Sequence, residues 1–260
     1  MRRRLGAAFG REAEVYAAHR PGYPVGAVAW LVGRARGVVL DLGAGSGSLT
    51  DALVSAGQAV VAAEPSHAML AQLAARGLDV PLVQSGAEAL PFAPGSFDVV
   101  TVATAFHWFD AMVALPQVAA VLKPRGRLAL VWNIRSEADG WPAELGELLR
   151  AAQPPGLVGH WATDSVRAVE ESTLFGPLEA AEFPFTQALD RAGLVGLAAS
   201  RSYVIALSST RRRRLLESVG RLFDSAAGAD ARVELPYTAR CWRSERLDGP
   251  APHPHDPTVR

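Results

Sequence analysis

Asp41, the glycines Gly43, Gly45 and Gly47, and Glu64 are the residues of this chain whose types and spacing could do chemistry. Asp41 stands directly before a Gly-x-Gly-x-Gly turn, where a carboxylate suits a ligand amine or a polarised water better than a pyrophosphate. Such a turn brings backbone N–H groups and the start of the following helix over whatever binds there. The dinucleotide fingerprint G-x-G-x-x-G requires a glycine at position 48, and this chain has Ser48, which disfavours a nicotinamide cofactor. Glu64 ends the next apolar run, Ala59 to Ala63, where a carboxylate in a βαβ unit accepts hydrogen bonds from both hydroxyls of a ribose. The set describes a cationic nucleoside.

These groups need a strand, a turn and a helix to hold them. Val38-Val39-Leu40 reads as a buried strand, and Ser48 to Ala56 as a helix with Leu49, Leu53 and Val54 on one face. Gly57 stands where a left-handed C-terminal cap is expected. After the second strand, Pro65 and then Ser66 as N-cap open another helix, with Met69, Leu70 and Leu73 on its apolar face. An acidic group for an amine, another for a ribose and no phosphate cradle together suggest S-adenosylmethionine.

At these residues the chain resembles the class I S-adenosylmethionine-dependent methyltransferases. The resemblance continues through Ser85 to Phe92, similar to the loop after the family's third strand, and Phe97 to Val102, similar to its fourth strand. Val121-Leu122-Lys123-Pro124-Arg125-Gly126-Arg127-Leu128 resembles the turn into the fifth. The resemblance implies an α/β fold: a Rossmann-like seven-stranded sheet, six strands parallel and the seventh antiparallel, flanked by helices and covered by a helical lid. It implies S-adenosyl-L-methionine as cofactor, S-adenosyl-L-homocysteine as product, and cofactor contacts from Asp41, Gly43, Ala44, Gly45, Gly47, Glu64, Pro65, Ser66, Met69, Ala87, Glu88 and Ala105. Ala87 and Glu88 are the pair that the family lays along the adenine ring.

Ala105-Phe106-His107-Trp108-Phe109-Asp110 resembles the A-x-H-W-F-D segment of a subgroup that includes the trans-aconitate methyltransferases, and Phe9 to Pro24 resembles that subgroup's opening. The likeness covers residues 9 to 135 and extends more loosely to 245. It places Tyr16 and Arg20 over the cofactor, with Arg20 facing the methionine carboxylate, for which a planar guanidinium fork is suited. His107 falls where the methyl acceptor approaches, as the candidate catalytic residue, either taking a proton or donating a hydrogen bond. Trp108 and Phe109 read either as core aromatics or as walls of the cofactor or acceptor pocket. Trp108, Trp132, Asn133, Arg201 and Tyr203 are the candidates for substrate contact. Two positions depart from the family pattern. Arg125 stands where a second glycine is usual, which leaves Gly126 to supply a positive φ, and Pro116 should kink or split the helix from Asp110 to Leu122.

The chain has 260 residues, 49% of them hydrophobic, enough for one α/β core with a helical insertion. One methyltransferase domain over 1–248 is expected, made of an N-terminal cap segment (1–35), a cofactor-binding core (36–135), lid and insertions around the sixth strand (136–230) and the last strand (231–248). Residues 249–260, rich in proline, read as a disordered tail. Helical patterns occur at Pro142 to Ala152, Asp164 to Ser172 and Ser209 to Ala226, with a sixth strand at Leu178 to Phe185 and a seventh at Val233 to Trp242. Acidic and basic residues balance at 26 each, so no net field attracts nucleic acid or an anionic membrane, and Arg211 to Arg214 read as a solvated helix start. Cys241 is the sole cysteine, which excludes an internal disulfide and a thiolate metal cluster. No metal site is expected, His253 and His255 included. The basic start is followed by no apolar run of signal or membrane length, because Arg11, Glu12 and Glu14 interrupt it. A cytoplasmic enzyme, monomeric or homodimeric, acting on a small-molecule acceptor such as a carboxylate, is the resulting expectation. The competing one is a cofactor-binding sensor without turnover.

Overall fold

The computed structural model describes residues 20–33, 37–137, 139–154 and 161–248. Tyr16, most of the N-terminal cap segment and the tail at 249–260 lie outside them. Seven strands form one sheet: β1 (Val38–Leu42), β2 (Ala59–Ala63), β3 (Leu82–Val83), β4 (Phe97–Ala103), β5 (Leu122–Arg135), β6 (Glu179–Leu189) and β7 (Val233–Glu245). Their order is β3-β2-β1-β4-β5-β7-β6, with β7 antiparallel to both neighbours and the other pairings parallel. Parallel neighbours need crossover connections, and helices supply them: α1 (Val25–Val32) leads into β1, α2 (Ser48–Ser55) follows it, and α3 (His67–Ala74) and α4 (Ala111–Val121) follow β2 and β4.

The central strands are apolar at almost every position because both faces are covered. Period-2 alternation divides their side chains. Leu40, Leu42, Val100, Val102, Leu128, Leu130 and Trp132 join Leu115, Val118 and Val121 of α4 on one face. Val39, Val99, Ala129 and Val131 join Val28 and Leu31 of α1 and Leu49 and Leu53 of α2 on the other. α5 (Trp141–Ala151), α7 (Arg191–Ala199), α8 (Ser202–Ile205) and α9 (Ser209–Ala226) gather a further cluster with Leu189, Leu235 and Tyr237, beside the carboxyl end of β5. α6 (Trp161–Glu170) instead brings Val169 to the α4 face.

Cap chemistry agrees with expectation. Ser66 accepts a hydrogen bond from Met69 N at 3.4 Å, and Gly57, at φ 76°, follows the last residue of the α2 turn. Arg211, Arg213 and Arg214 are exposed at the start of α9. Among the described residues no helix is long and apolar enough to cross a membrane.

Three expectations are corrected. The positive φ in the turn before β5 belongs to Arg125, at 60°, and not to Gly126. Gly126 is needed for space, since a Cβ there would lie 2.8 Å from the Lys123 carbonyl oxygen. Pro116 does not split α4, which runs unbroken from Ala111 to Val121. The carbonyl that Pro116 cannot bond belongs to Met112, an exposed residue, so water can take its place. Last, β6 and β7 run past their expected ends, to Leu189 and Glu245, because β6 pairs with β7 up to Leu189↔Val233 and β7 pairs with β5 as far as Arg127↔Glu245.

The left-handed conformation of Arg125 costs about 1–2 kcal/mol relative to glycine. Glycine's extra freedom in the unfolded chain offsets part of that. Arg125→Gly should therefore raise stability by about 0.5–1 kcal/mol in urea unfolding. A loss of stability would mean that the ion pair of Arg125 with Glu245, 4.0 Å apart, outweighs the strain.

Candidate functional site

The carboxyl edge of the parallel strands carries the candidate residues in one line, the place where open α/β sheets bind ligands. In spatial order they are Ala87 and Glu88 after β3, Glu64 to Ser66 after β2, Gly43 to Gly47 after β1, Thr104 and Ala105 after β4, and Asn133 near the end of β5.

The turn after β1 consumes its own donors. Gly43 N and Ala44 N donate to the Ala63 carbonyl at 2.8 and 3.1 Å, and Gly47 N donates to the Ala44 carbonyl at 2.9 Å. Gly45 N donates to Glu64 Oε2 at 3.0 Å. These N–H groups are thus spent within the fold rather than held over a ligand, contrary to expectation, which removes support from a dinucleotide. The glycines also divide their roles. A Cβ on Gly43 would lie 2.7 Å from the Ala105 Cβ, and one on Gly47 would collide with Leu73, whereas Gly45 has nothing within 4 Å and leaves the site open.

Glu64 is 9% exposed, and each of its carboxylate oxygens accepts one backbone hydrogen bond, Oε2 from Gly45 and Oε1 from Ser66 N at 2.9 Å. Burial raises its pKa above the usual glutamate value, against the lowering effect of those two bonds. Each oxygen keeps a lone pair, so a ribose diol fits without displacing either bond. Met69 and Ala87 are buried beside this corner, and Glu88 Oε1 accepts from Asp110 N at 2.9 Å, fixing the start of α4. Asp41 lies beneath the turn at 0% exposure, accepting from Thr50 Oγ1 at 2.6 Å through Oδ2, while its Oδ1 is buried with no partner. It does not line the open cleft. This corrects the expectation of a direct contact with a ligand amine: Asp41 holds the turn from below, and Glu64 with the open face of Gly45 is what makes this corner fit S-adenosylmethionine.

A cleft of about 440 Å³ opens from Gly45 toward β5. Arg20, Gly43 to Ser46, Leu49, Thr104, Trp132, Asn133, Arg135, Glu137, Leu197, Arg201 and Tyr237 line it. Asn133 Nδ2 donates to the Gly22 carbonyl at 3.0 Å, tying the segment that carries Arg20 to the end of β5. The structure thus brings Arg20, the glycine turn, Trp132, Asn133 and Arg201 to one cavity. A larger, open groove of about 630 Å³ between α7 and α9 lies apart from the glycine turn.

Three expected residues are placed elsewhere. His107 and Trp108 sit in a single 3-10 turn, Phe106–Trp108, whose buried Phe106 anchors it in the core. That anchoring turns His107 into a separate cavity of about 120 Å³ with Phe106, Phe109 and Asp164 and Ser165 of α6, so it does not line the large cleft. Trp108 packs on His107, ring centroids 4.7 Å apart, and is not a cleft wall either. Tyr203 is 3% exposed and lies behind Arg201 rather than on the cleft surface. Conversely, Thr104, Arg135, Glu137 and Tyr237 line the cleft without having been singled out from the sequence. Arg135 was within reach of a pattern argument, being on the same strand face as Asn133 two residues earlier. Thr104 holds φ 54°, a strained conformation for a β-branched residue that no local motif announces.

Residues 40–130 match a family model described as a methyltransferase domain. Over 245 residues the chain is 38% identical to an uncharacterized methyltransferase of Mycobacterium tuberculosis, covering 94% of this chain and 97% of that protein. An uncharacterized methyltransferase-like protein of Schizosaccharomyces pombe is 28% identical over 242 residues, with 89% of this chain and 92% of the other covered. A solved type II methyltransferase structure from Anaeromyxobacter dehalogenans superposes with a TM-score of 0.69 at 27% identity, covering 89% of this chain and 100% of that one.

Burial pushes the Asp41 pKa up to about 6 from 3.8, with the Thr50 and Thr101 hydroxyls working the other way. Between those values the folded protein holds a proton that the unfolded chain has released. The contribution is therefore favourable at low pH and declines as pH rises through about 6. Asp41→Asn should abolish roughly 2–3 kcal/mol of that decline, measured as urea-unfolding stability at steps from pH 4 to pH 7. Parallel pH profiles for the two proteins would contradict the assignment.

Proposed function

Because the chain belongs to the class I S-adenosylmethionine-dependent methyltransferases, we propose that it transfers a methyl group to a carboxylate oxygen of a small organic acid. The observation behind the acceptor is the lining of the cleft. Among the described residues it has three arginines but no histidine, lysine or cysteine, and its one carboxylate, Glu137, is engaged by Arg135 and Arg150. Burial opposes ionisation of Glu137, yet hydrogen bonds and charge from those arginines prevail and hold its pKa below the usual value. A hydroxyl or amine acceptor would have to shed a proton and finds no free base there. A carboxylate arrives deprotonated and needs no base.

When bound, S-adenosylmethionine supplies an electrophilic methyl on a sulfonium that is displaced in line. In this reading Glu64 holds the ribose, Ala87 and Met69 flank the adenine, and Asp41 supports the glycine turn from beneath through its bond from Thr50. Arg20 faces the methionine carboxylate. Gly45 permits close approach, and Leu49 and Trp132 keep water from the reacting line. Alignment of this kind supplies roughly 7–11 kcal/mol, so no proton relay is needed. The carboxylate acceptor agrees with the resemblance to the trans-aconitate methyltransferases. Balanced charge and the small cleft favour a small-molecule acceptor over nucleic acid, and in this reading the enzyme is cytoplasmic, monomeric or homodimeric.

Methyl-labelled S-adenosylmethionine, offered with panels of carboxylic acids, phenols and amines, should label acids alone and release label as methanol in mild alkali. Alkali-stable label on a phenol or amine would contradict the proposal. Glu64→Ala should weaken S-adenosylhomocysteine binding about tenfold to a hundredfold in calorimetry. It should also lower the unfolding midpoint, because Gly45 and Ser66 lose their acceptor. Unchanged affinity would remove Glu64 from the ribose site.

A further inference from the structure

Arg135 is a buried cation with spare donors. Its side chain is only 7% exposed, and Nη2 donates to Glu137 Oε1 at 2.6 Å. Its Nε and Nη1 are buried without partners. Arg201, at the start of α8, presents a second buried and unpartnered Nε and makes no ion pair among the described residues. Tyr237 stands opposite Arg135 in the β5–β7 ladder, 5% exposed, its ring stacked on Phe185 at 5.4 Å. All three line the same end of the cleft.

A buried guanidinium with empty N–H groups is costly in an unliganded protein. Glu137 does not relieve it, since that carboxylate already serves Arg135 and Arg150. Burial and the like charges of Arg135 and Arg20 lower the Arg201 pKa. The same burial raises the Tyr237 pKa against the pull of the arginines, leaving its hydroxyl a donor. Donors that converge on a cavity and are met by no protein acceptor are shaped for an oxyanion, and a guanidinium fork holds a carboxylate or phosphate through two parallel bonds.

We infer that the acceptor carries a second oxyanion, a carboxylate or a phosphate, seated between Arg135 and Arg201 with the Tyr237 hydroxyl. An oxygen held in two charge-assisted bonds is a poor nucleophile, so the seated group anchors the molecule while a different carboxylate meets the methyl. The substrate class is then dicarboxylic or phosphorylated carboxylic acids. The division of labour rests on the methyltransferase reading above, whereas the seat stands on the arginines alone.

The full-length protein is titrated by calorimetry with succinate, inorganic phosphate and acetate at fixed ionic strength, each with and without saturating S-adenosylhomocysteine. Succinate or phosphate should bind at least about tenfold more tightly than acetate, and the tighter of the two identifies the anchoring group. Arg201→Met should weaken that binding about tenfold to a hundredfold, Arg201→Lys by less, and neither should change S-adenosylhomocysteine affinity more than about twofold. Removing an unpaired buried cation should also raise the unfolding midpoint of the unliganded Met variant, which a structural arginine would not do. Tyr237→Phe, which keeps the stack on Phe185, gives a second variant with a smaller loss of anion affinity. Acetate binding as well as both dianions, or anion affinity untouched by Arg201→Met, would overturn the inference. So would a lowered midpoint in the unliganded Met variant. Arginine-dependent anion binding without any S-adenosylhomocysteine binding would keep the seat and remove the methyltransferase reading.

Discussion

The Glu64 carboxylate is the interaction on which the site depends. One oxygen accepts from Gly45 in the turn after β1, the other from Ser66 at the start of α3, so one side chain stitches two adjacent strand ends together. The parallel register of β1 and β2, with Leu42 opposite Ala63, brings it there. The same clamp consumes the Gly45 donor and leaves the glycine's open face toward the cleft. In the proposed reading, a turn fixed this way accepts a nucleoside that offers hydroxyls to Glu64. It gives little to a pyrophosphate, because the remaining donors are turned inward on Ala63 and Ala44.

Around that clamp the protein carries local costs that the two-faced apolar core offsets. Asp41 is wholly buried with one unpartnered oxygen, Thr104 holds a left-handed backbone, and Arg135 and Arg201 keep buried donors empty. All four sit at the carboxyl ends of strands or against the cleft they form, none in the middle of the sheet. Unsatisfied or strained groups of this kind persist where surrounding structure over-determines them, and they cluster at functional sites. In the proposed reading the end that takes the adenosyl group carries Glu64, and the far end carries Arg135 and Arg201. That polarity suits a cationic sulfonium donor on one side and an anionic acceptor on the other.

Short-range physics made part of this legible in the sequence. The buried strand before Gly43, the cap at Ser66, the glycine after α2 and the carboxylate ending β2 follow from rules that act within a few residues, and all four are found in the structure. What escaped depends on how elements meet. His107 sits in a chemically suggestive segment, but the burial of Phe106 decides which way it faces, and it faces α6. Arg135 and Tyr237 become neighbours only through a ladder between strands a hundred residues apart in sequence. The positive φ assigned by glycine preference to Gly126 falls on Arg125, because space near the Lys123 carbonyl mattered more than backbone freedom.

The central claim is that the clamped turn binds an adenosyl sulfonium nucleoside and not a dinucleotide. Competitive calorimetry of the full-length protein with S-adenosylmethionine, S-adenosylhomocysteine and NAD tests it most directly. Binding of both adenosyl ligands in the micromolar range, undisturbed by excess NAD, is the predicted result. Binding of NAD in their place, or displacement of either adenosyl ligand by it, would contradict the account.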